Sequence, residues 1–121
     1  MSRGDIYIAA ARGAYTGRPR PVVIIQDDRF DATASVTVCP MTTNPVDAPL
    51  TRIAVEATAA TGLAEPSRIM VDKIATMPRD NVRDHLGHLS DADLLRLDRA
   101  LIVFLGLAEC PISDAARDRR T

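Results

Sequence analysis

The sequence predicts a mainly β domain in which short strands form a small, strongly curved antiparallel barrel, followed by one C-terminal α-helix. Short β-branched runs alternate with loops rich in glycine, proline and polar residues along most of the chain. Helical spacing of apolar residues is clear only near the end. The 121 residues, of which 46% are hydrophobic, suffice for one core without disulfides. We expect one domain over residues 1–108 and a polar, flexible tail over residues 109–121.

Three strands are predicted in the first half of the chain. Ile6–Ile8 is a brief apolar strand, and a loop with two glycines and two prolines follows over residues 12–21. Val22–Gln26 is a continuous apolar run, which is typical of a strand buried on both faces. Val36–Pro40 is the third strand, and we expect Pro40 to end it because proline cannot donate a hydrogen bond to a neighbouring strand.

The second half predicts three further strands. Residues 52–56 alternate polar and apolar side chains, as a half-exposed strand does. Residues 68–77 predict one longer, bent strand that Pro78 stops. Residues 83–89 predict a last short strand.

The C-terminal helix has the clearest pattern in the chain. Ser90 and Asp93 have the spacing of a capping box, and Gly106 can end the helix in the left-handed conformation. The apolar positions recur at helical spacing, and they are Leu94, Leu97, Leu101, Phe104 and Leu105. Leu95 and Ile102 widen this stripe, and we favour the core over a dimer contact for them.

The composition argues against several classes of protein. A net charge of −1 does not fit a nonspecific nucleic-acid coat, and 3% aromatic residues cannot form stacked aromatic platforms. No run approaches the ~18 apolar residues of a membrane span, and no apolar signal segment follows Met1. Cys39 and Cys110 are far apart in the sequence, which argues against a disulfide framework or a zinc site. We therefore expect a cytoplasmic protein without a cofactor.

Two small groups of titratable residues carry little functional information. His85 and His88 are three positions apart, but no third metal ligand is close in the sequence, so surface or structural roles are favoured and no metal is expected. Asp27 and Asp28 could form a carboxylate pair for acid–base chemistry, but a solvated turn is the favoured interpretation.

Two loops carry residues that suit a phosphate ligand. Arg12, Arg18 and Arg20 fall within nine residues, and the planar guanidinium matches phosphate oxygens well. The alternative is that these are solvated loop charges. The segment Thr42-Thr43-Asn44 follows a predicted strand, where hydroxyl and amide groups can donate to a phosphate or contact a base edge. The alternative there is a plain polar turn, and neither loop decides the question alone.

The order of these motifs resembles the MazF/PemK toxin family. The resemblance covers residues 3 to 107, nearly the whole predicted domain. No single motif is rare, but their order and spacing together are specific. The matching segments are RGDIY at Arg3–Tyr7, RPVVIIQDD at Arg20–Asp28, VCPMTTN at Val38–Asn44, Leu50–Val55, VDKIAT at Val71–Thr76, and Leu86–Leu107.

The resemblance implies a dimeric, SH3-like antiparallel barrel of the CcdB/PemK type. It implies the toxin of a toxin–antitoxin pair, a metal-independent endoribonuclease that cuts single-stranded RNA at short sequences and so inhibits translation and growth. The 2′-hydroxyl of the RNA is the implied nucleophile, and the products carry 2′,3′-cyclic phosphate and 5′-hydroxyl ends. An antitoxin on a separate chain is the implied partner.

Arg20 falls on the family's catalytic arginine, and Thr42 falls on its catalytic threonine, which is serine in some members. We expect both residues on loops, so that their replacement abolishes cleavage but not folding. Arginine side chains stay protonated at neutral pH, so we expect Arg20 to act as an electrostatic clamp rather than a proton carrier. Pro19 and Pro21 should restrict the backbone on either side of Arg20.

One loop departs from the family pattern. Family members usually have a longer first loop with a Gly-Ser-Glu-Gln-like stretch, whose contacts cannot be transferred to this chain. We expect RNA contacts instead from the first loop and from the segment after Thr42; these candidates are Arg12, Tyr15, Thr16, Arg18, Thr43 and Asn44.

Two other functions remain open at this point. A CcdB-like gyrase poison has the same fold, but that group depends on a C-terminal Trp-Gly-Ile-type end, and this chain has no tryptophan. The other alternative is a barrel-shaped binding module that has lost catalysis.

Overall fold

The computed structural model describes residues 1–10 and 19–108. The candidate residues Arg12, Tyr15, Thr16 and Arg18, as well as the predicted tail 109–121, lie outside the described residues. The described part contains seven strands and one α-helix, together with short 3-10 helices at Asp28–Phe30, Val71–Lys73 and Arg79–Asn81. The bounds are β1 (Asp5–Ala10), β2 (Pro19–Ile24), β3 (Ser35–Thr42), β4 (Arg52–Val55), β5 (Ser67–Met70), β6 (Ala75–Pro78), β7 (Val82–His88) and α1 (Asp91–Phe104).

The strands form one antiparallel sheet in the order β4-β5-β3-β2-β1-β7, with β6 paired to β3. This confirms the predicted class, mainly β with a C-terminal helix. Strand pairing does not close the sheet between β4 and β7 within the described residues. The β4–β5 connection, residues 56–66, instead packs against β7, where the His88 N–H donates to the Ala60 carbonyl at 2.9 Å.

Two glycines make this closing contact possible. A Cβ on Gly87 would lie 2.1 Å from the Ala60 carbonyl oxygen, and a Cβ on Gly62 would lie 2.1 Å from the Leu86 carbonyl oxygen. Gly62 also has a φ of +69°, a conformation that side chains disfavour. Because both backbones approach so closely, only glycine fits at either position.

The sheet buries apolar side chains on both faces. On one face, a cluster that includes Ile6, Val23 and Cys39 packs with Leu97 and Leu101 of α1. On the other face, the cluster consists of Ala9, Val22, Ile24, Val36, Val38 and Val82. Val22, Val23 and Ile24 are all buried, which confirms that β2 is covered on both sides. Burial of Cys39 raises the pKa of its thiol to about 12, as expected for a small core residue.

The predicted end of β3 at Pro40 is wrong, because the strand continues to Thr42. β3 pairs with β6 through Val38 and with β5 from Met41 onward, on the side away from β2. Cys39 and Pro40 therefore lie between these two partners. Proline is accepted there because that side of the strand has no partner at this point.

The predicted single strand over residues 68–77 is also wrong. The short 3-10 helix Val71–Lys73 separates β5 from β6. β5 pairs with β4 and with the end of β3, whereas β6 pairs with the beginning of β3. Two different pairing sites on β3 thus require the break. Pro78 ends β6, as predicted.

The helix begins after the predicted cap residue Ser90, although the Asp93 carboxylate accepts from Arg96 and only the Ser90 half of the predicted capping box forms. The Ser90 side chain accepts a hydrogen bond from the Asp93 N–H at 3.1 Å, and Gly106 follows the helix with a φ of +71°. Arg3 links the helix to the sheet: its Nη1 lies 2.5 Å from Asp98 Oδ1, and its Nε donates to the Ile25 carbonyl at 2.8 Å. The RGD segment therefore positions α1.

The predicted core role of the wider helix stripe is wrong. Leu95 and Ile102 are exposed to 50% and 39% in the single chain. The sheet covers only the stripe that contains Leu97 and Leu101. Phe104 and Leu105, at the end of the predicted stripe, are exposed as well.

Candidate active site

Arg20 and Thr42 are brought together by strand pairing. Arg20 is the second residue of β2, and Thr42 is the last residue of β3. The two strands pair Val22 with Pro40 and Val23 with Cys39. Continued by two residues, this register sets Arg20 opposite Thr42 on the same face, where opposed Cβ atoms are roughly 4.5–5.5 Å apart. Both residues line one cavity of about 250 Å³.

The expectation that both residues lie on loops is wrong, since both belong to strands. Their backbone positions are set by the sheet because β2 pairs Arg20 with Ala9 of β1, and β3 pairs Thr42 with Arg68 of β5. A site built on paired strands holds its side chains more rigidly than a loop does.

Arg68 is a further candidate residue, which the sequence motifs did not indicate. It is paired with Thr42 across β3 and β5, so its side chain shares the face of Thr42. Its guanidinium Nη1 donates to the Val46 carbonyl. The only signal in the sequence was a charged residue directly before the apolar run Ile69–Val71. We call the cross-strand set Arg20, Thr42 and Arg68 the cationic row, because a hydroxyl stands between two guanidinium side chains.

The Thr42 hydroxyl is oriented by the chain that follows it. Its Oγ1 accepts a hydrogen bond from the Asn44 N–H at 3.1 Å. A hydroxyl has two acceptor lone pairs and one proton, so this contact leaves the proton for donation to another group. Thr43 lines the cavity of the row, whereas Asn44 is exposed and does not line it.

Arg20 also lines a second cavity of about 520 Å³. The two cavities therefore meet at this side chain. Thr43 and Ser67 line both the 250 Å³ cavity of Arg20 and Thr42 and a groove of about 800 Å³. Arg68 and Arg96 also line this groove. The row thus lies at the centre of a longer surface depression, which is lined by these arginines and also by the carboxylates Glu56, Glu65, Asp80 and Asp93.

The remaining titratable candidates have structural surroundings. The His85 Nε2 lies 3.9 Å from Asp5 Oδ1, and the His85 ring is 4.9 Å from the Tyr7 ring. Across residues 1–10 and 19–108, no three or more His, Cys, Asp or Glu side chains are grouped so that they could hold a metal ion. Of the helices described, none has the length and apolar character to cross a membrane.

The Asp27-Asp28 pair forms a turn, as the favoured interpretation predicts. Asp27 accepts hydrogen bonds from the backbone and side chain of Arg29, which lower the pKa of its carboxyl group. Asp28 accepts from the Arg3 N–H at 2.7 Å. Asp27 therefore holds local backbone structure, whereas Asp28 holds the N-terminal segment against this turn.

Comparison with known proteins assigns the family. Residues 2–105 match the family of PemK-like, MazF-like toxins of type II toxin–antitoxin systems. The chain belongs to this family. The match confirms the resemblance found in the motifs, and it favours a MazF-type toxin over a gyrase poison.

Individual MazF proteins are similar over nearly their whole length. A probable endoribonuclease MazF of Mycolicibacterium smegmatis is 64% identical over 89% of this chain and 99% of the relative. The solved Mycobacterium tuberculosis toxin MazF-mt6 is 26% identical, with a TM-score of 0.74 over 87% of this chain and 99% of that one. A mycobacterial endoribonuclease solved in complex with its cognate antitoxin is 25% identical, with a TM-score of 0.73 over 91% of this chain and 99% of that one.

Proposed function

We propose that this MazF-family chain is a sequence-specific, metal-independent endoribonuclease, the toxin of a toxin–antitoxin pair, and that the cationic row binds the phosphodiester it cuts. One observation carries the placement of the site. Arg20 and Thr42 occupy opposed positions of β2 and β3 and line one cavity, with Arg68 paired to Thr42 on the far side. Guanidinium and hydroxyl donors on one face match the oxygens of a phosphate group.

The reaction requires no group beyond the RNA, the protein and solvent water. The RNA 2′-oxygen forms a bond to the adjacent phosphorus as the bond from phosphorus to the 5′-oxygen breaks. The proton of the 2′-hydroxyl passes to solvent water, and the departing 5′-oxygen takes a proton from solvent water. The products are a 2′,3′-cyclic phosphate and a 5′-hydroxyl, and the negative charge is greatest on the phosphoryl oxygens in the transition state.

Each member of the row has a distinct part in stabilising that charge. The Arg20 guanidinium acts as an electrostatic clamp on the phosphoryl oxygens. Thr42 donates its free hydroxyl proton, because its oxygen already accepts from Asn44. Arg68 adds a second positive charge beyond Thr42. Further contacts would hold the RNA strand on either side of the phosphodiester that is cut. These contacts come from the first loop, through Arg12, Tyr15, Thr16 and Arg18, and from Thr43 and Asn44.

The proposal includes partners and a place in the cell. An antitoxin on a separate chain would cover the site, as the solved mycobacterial complex of a relative with its cognate antitoxin suggests. We propose a homodimer in the cytoplasm. The homodimer would cover exposed apolar residues at and just after the end of α1, namely Ile102, Phe104, Leu105 and Leu107. Light scattering at micromolar concentration should give a dimer mass, and a monomer mass would contradict the dimer.

We also propose that residues 1–108 are the whole toxin domain. The family match ends at residue 105, before the polar segment 109–121 begins. Removal of residues 109–121 should therefore leave RNA cleavage unchanged. A large loss of cleavage by the folded, shortened protein would place functional residues in that segment.

Side-chain replacements test the row. Arg20→Ala and Thr42→Ala should each lower kcat for RNA cleavage by about 10²–10³, the effect of removing one transition-state donor. Arg99→Ala is the matched control, because Arg99 is an exposed arginine on α1. If Arg20→Ala or Thr42→Ala unfolds the protein, that residue is structural. If both folded variants cleave like the wild type, the row is not the active site.

A pH profile separates the clamp from proton transfer. Arg20→Lys keeps the positive charge, so the shape of the kcat profile against pH should be unchanged, with a lower plateau because the two-pronged contact is lost. A kinetic pKa near neutrality that disappears in Arg20→Lys would contradict the clamp.

A further inference from the structure

The second cavity beside Arg20 has a largely apolar lining. Its volume is about 520 Å³, within the usual range for small-molecule sites. The apolar lining belongs to four strands and comprises Ala9, Ala10, Val22, Pro40, Ala75, Met77 and Pro78. Such a lining suits a planar, weakly hydrated ligand. Arg20 stands between this cavity and the cavity of the cationic row, so a ligand here would be a direct neighbour of the bound phosphate.

Besides Arg20 and Thr76, two polar residues line this cavity, Asp80 and Asn81. Both belong to the short 3-10 helix Arg79–Asn81 between β6 and β7. Within the described ranges 1–10 and 19–108, neither side chain makes a hydrogen bond or an ion pair. Their carboxylate and amide are therefore available to a ligand.

Arg79 fixes the turn that carries these two residues. Its Nε donates to the Thr33 carbonyl at 2.8 Å, and its Nη2 lies 3.2 Å from Thr33 Oγ1. The Arg79 N–H donates to the Ala34 carbonyl at 3.1 Å. Asp80 and Asn81 are thus presented from an anchored turn, which limits the conformational entropy lost when a ligand binds.

We infer that this cavity binds a nucleobase next to the cleaved phosphodiester, and that Asp80 and Asn81 select a base with an exocyclic amino group over uracil. The inference rests on the proposed function, since Arg20 must hold the phosphate for the neighbouring base to reach the cavity. The apolar lining would contact the faces of the base, and the two polar side chains would contact its edge.

The chemistry of Asp80 sets the preference. An ionised carboxylate only accepts hydrogen bonds, so it pairs with amino groups such as that of cytosine. Uracil presents one N–H between two carbonyl oxygens, and these oxygens repel a carboxylate. Asn81 can both donate and accept, and so can complete the contact. The negative carboxylate also repels the nearby phosphate. RNA whose base offers no hydrogen-bond donor to Asp80 is therefore disfavoured, and this repulsion adds to the specificity.

Cleavage of an RNA library with random sequence, followed by mapping of the fragment ends, tests the inference. The wild type should show one position near the cut at which uracil is disfavoured. Asp80→Asn should increase the relative cleavage rate of uracil at that position by about tenfold, within the discrimination of one base contact. Asn81→Ala should relax the same position. Asp84→Asn is the matched control, because Asp84 is exposed on β7 and does not line the cavity.

The outcomes separate this inference from the proposed function. If the wild type cuts no RNA, the proposed function fails and the inference fails with it. If the wild type cuts but Asp80→Asn and Asn81→Ala keep its sequence preference, only the inference is overturned. Thermal unfolding of each variant should match the wild type. An unfolded Asp80→Asn variant would give Asp80 a structural role and would also overturn the inference.

Discussion

Replacing Gly87 by alanine should destabilise the fold by disrupting the contact that closes the sheet. The new Cβ would lie 2.1 Å from the Ala60 carbonyl oxygen and 2.6 Å from the Thr61 carbonyl carbon. Ordinary contacts need more than an ångström of extra separation, and both neighbours are backbone atoms that cannot rotate away. The displacement would also break the 2.9 Å hydrogen bond from the His88 N–H to the Ala60 carbonyl.

The expected cost follows from these two effects. Overpacking in a tight site costs about 1–3 kcal/mol, and the lost hydrogen bond costs about 1 kcal/mol. We therefore expect the free energy of unfolding to fall by about 2–4 kcal/mol, which lowers Tm by roughly 10–20 °C for a domain of this size.

Urea unfolding measures this effect. The midpoint should fall while the m-value stays the same, because the surface exposed on unfolding is unchanged. Gly4→Ala is the comparison: its Cβ would meet only the flexible Leu94 side chain at 3.3 Å, so its cost comes mainly from the φ of +91° and should be about 1–2 kcal/mol. A Gly87→Ala midpoint equal to that of the wild type would refute the reasoning.

Three further predictions concern the core, the helix and the buried thiol. Leu97→Ala should lower the free energy of unfolding by about 2–5 kcal/mol, since Leu97 is fully buried between α1 and the sheet; a urea midpoint near that of the wild type would contradict this. Ser90→Ala should cost about 1 kcal/mol in the same assay, because the Asp93 N–H loses its acceptor, whereas Ser90→Asp should restore most of the loss. The pKa of Cys39 is raised to about 12 from 9.0, so the folded state favours the neutral thiol, and its stability should decline as pH rises from about 9 toward 12. In a Cys110→Ser background, Cys39 should also resist iodoacetamide at pH 8 until urea unfolds the chain, and rapid alkylation of the folded protein would contradict its burial.

Local pattern was enough to predict most elements of the fold. Val22, Val23 and Ile24 form a continuous apolar run because β2 is covered on both faces, and the spacing of Leu94, Leu97 and Leu101 follows one side of a helix. These patterns involve residues that are close in sequence. They can therefore be recognised without knowing which strands or helices pack against them.

Errors arose where a strand's neighbours decide the outcome. Pro40 would end a strand that was paired on both sides, but β3 changes partners there, which no local pattern shows. The break at Val71–Lys73 has the same origin, because β5 and β6 occupy different parts of β3. The exposure of Leu95 likewise depends on how much of α1 the sheet covers.

The family motifs were enough to propose candidate site residues, but not to predict their geometry. Arg20 and Thr42 were found through the family motifs, but their opposition follows from the register of β2 and β3. Arg68 was missed because its pairing with Thr42 joins positions far apart in sequence. The cavity that connects Arg20 with Asp80 is likewise a product of the curved sheet.

The chemistry of the fragment ends tests the central claim most directly. Purified protein would be incubated with a mixed RNA in EDTA, and the fragment ends mapped, with Arg20→Ala as the comparison. The account predicts discrete cuts with 5′-hydroxyl and 2′,3′-cyclic phosphate ends, which are lost in Arg20→Ala. Intact RNA, or 5′-phosphate ends that form only when a divalent metal ion is added, would contradict it.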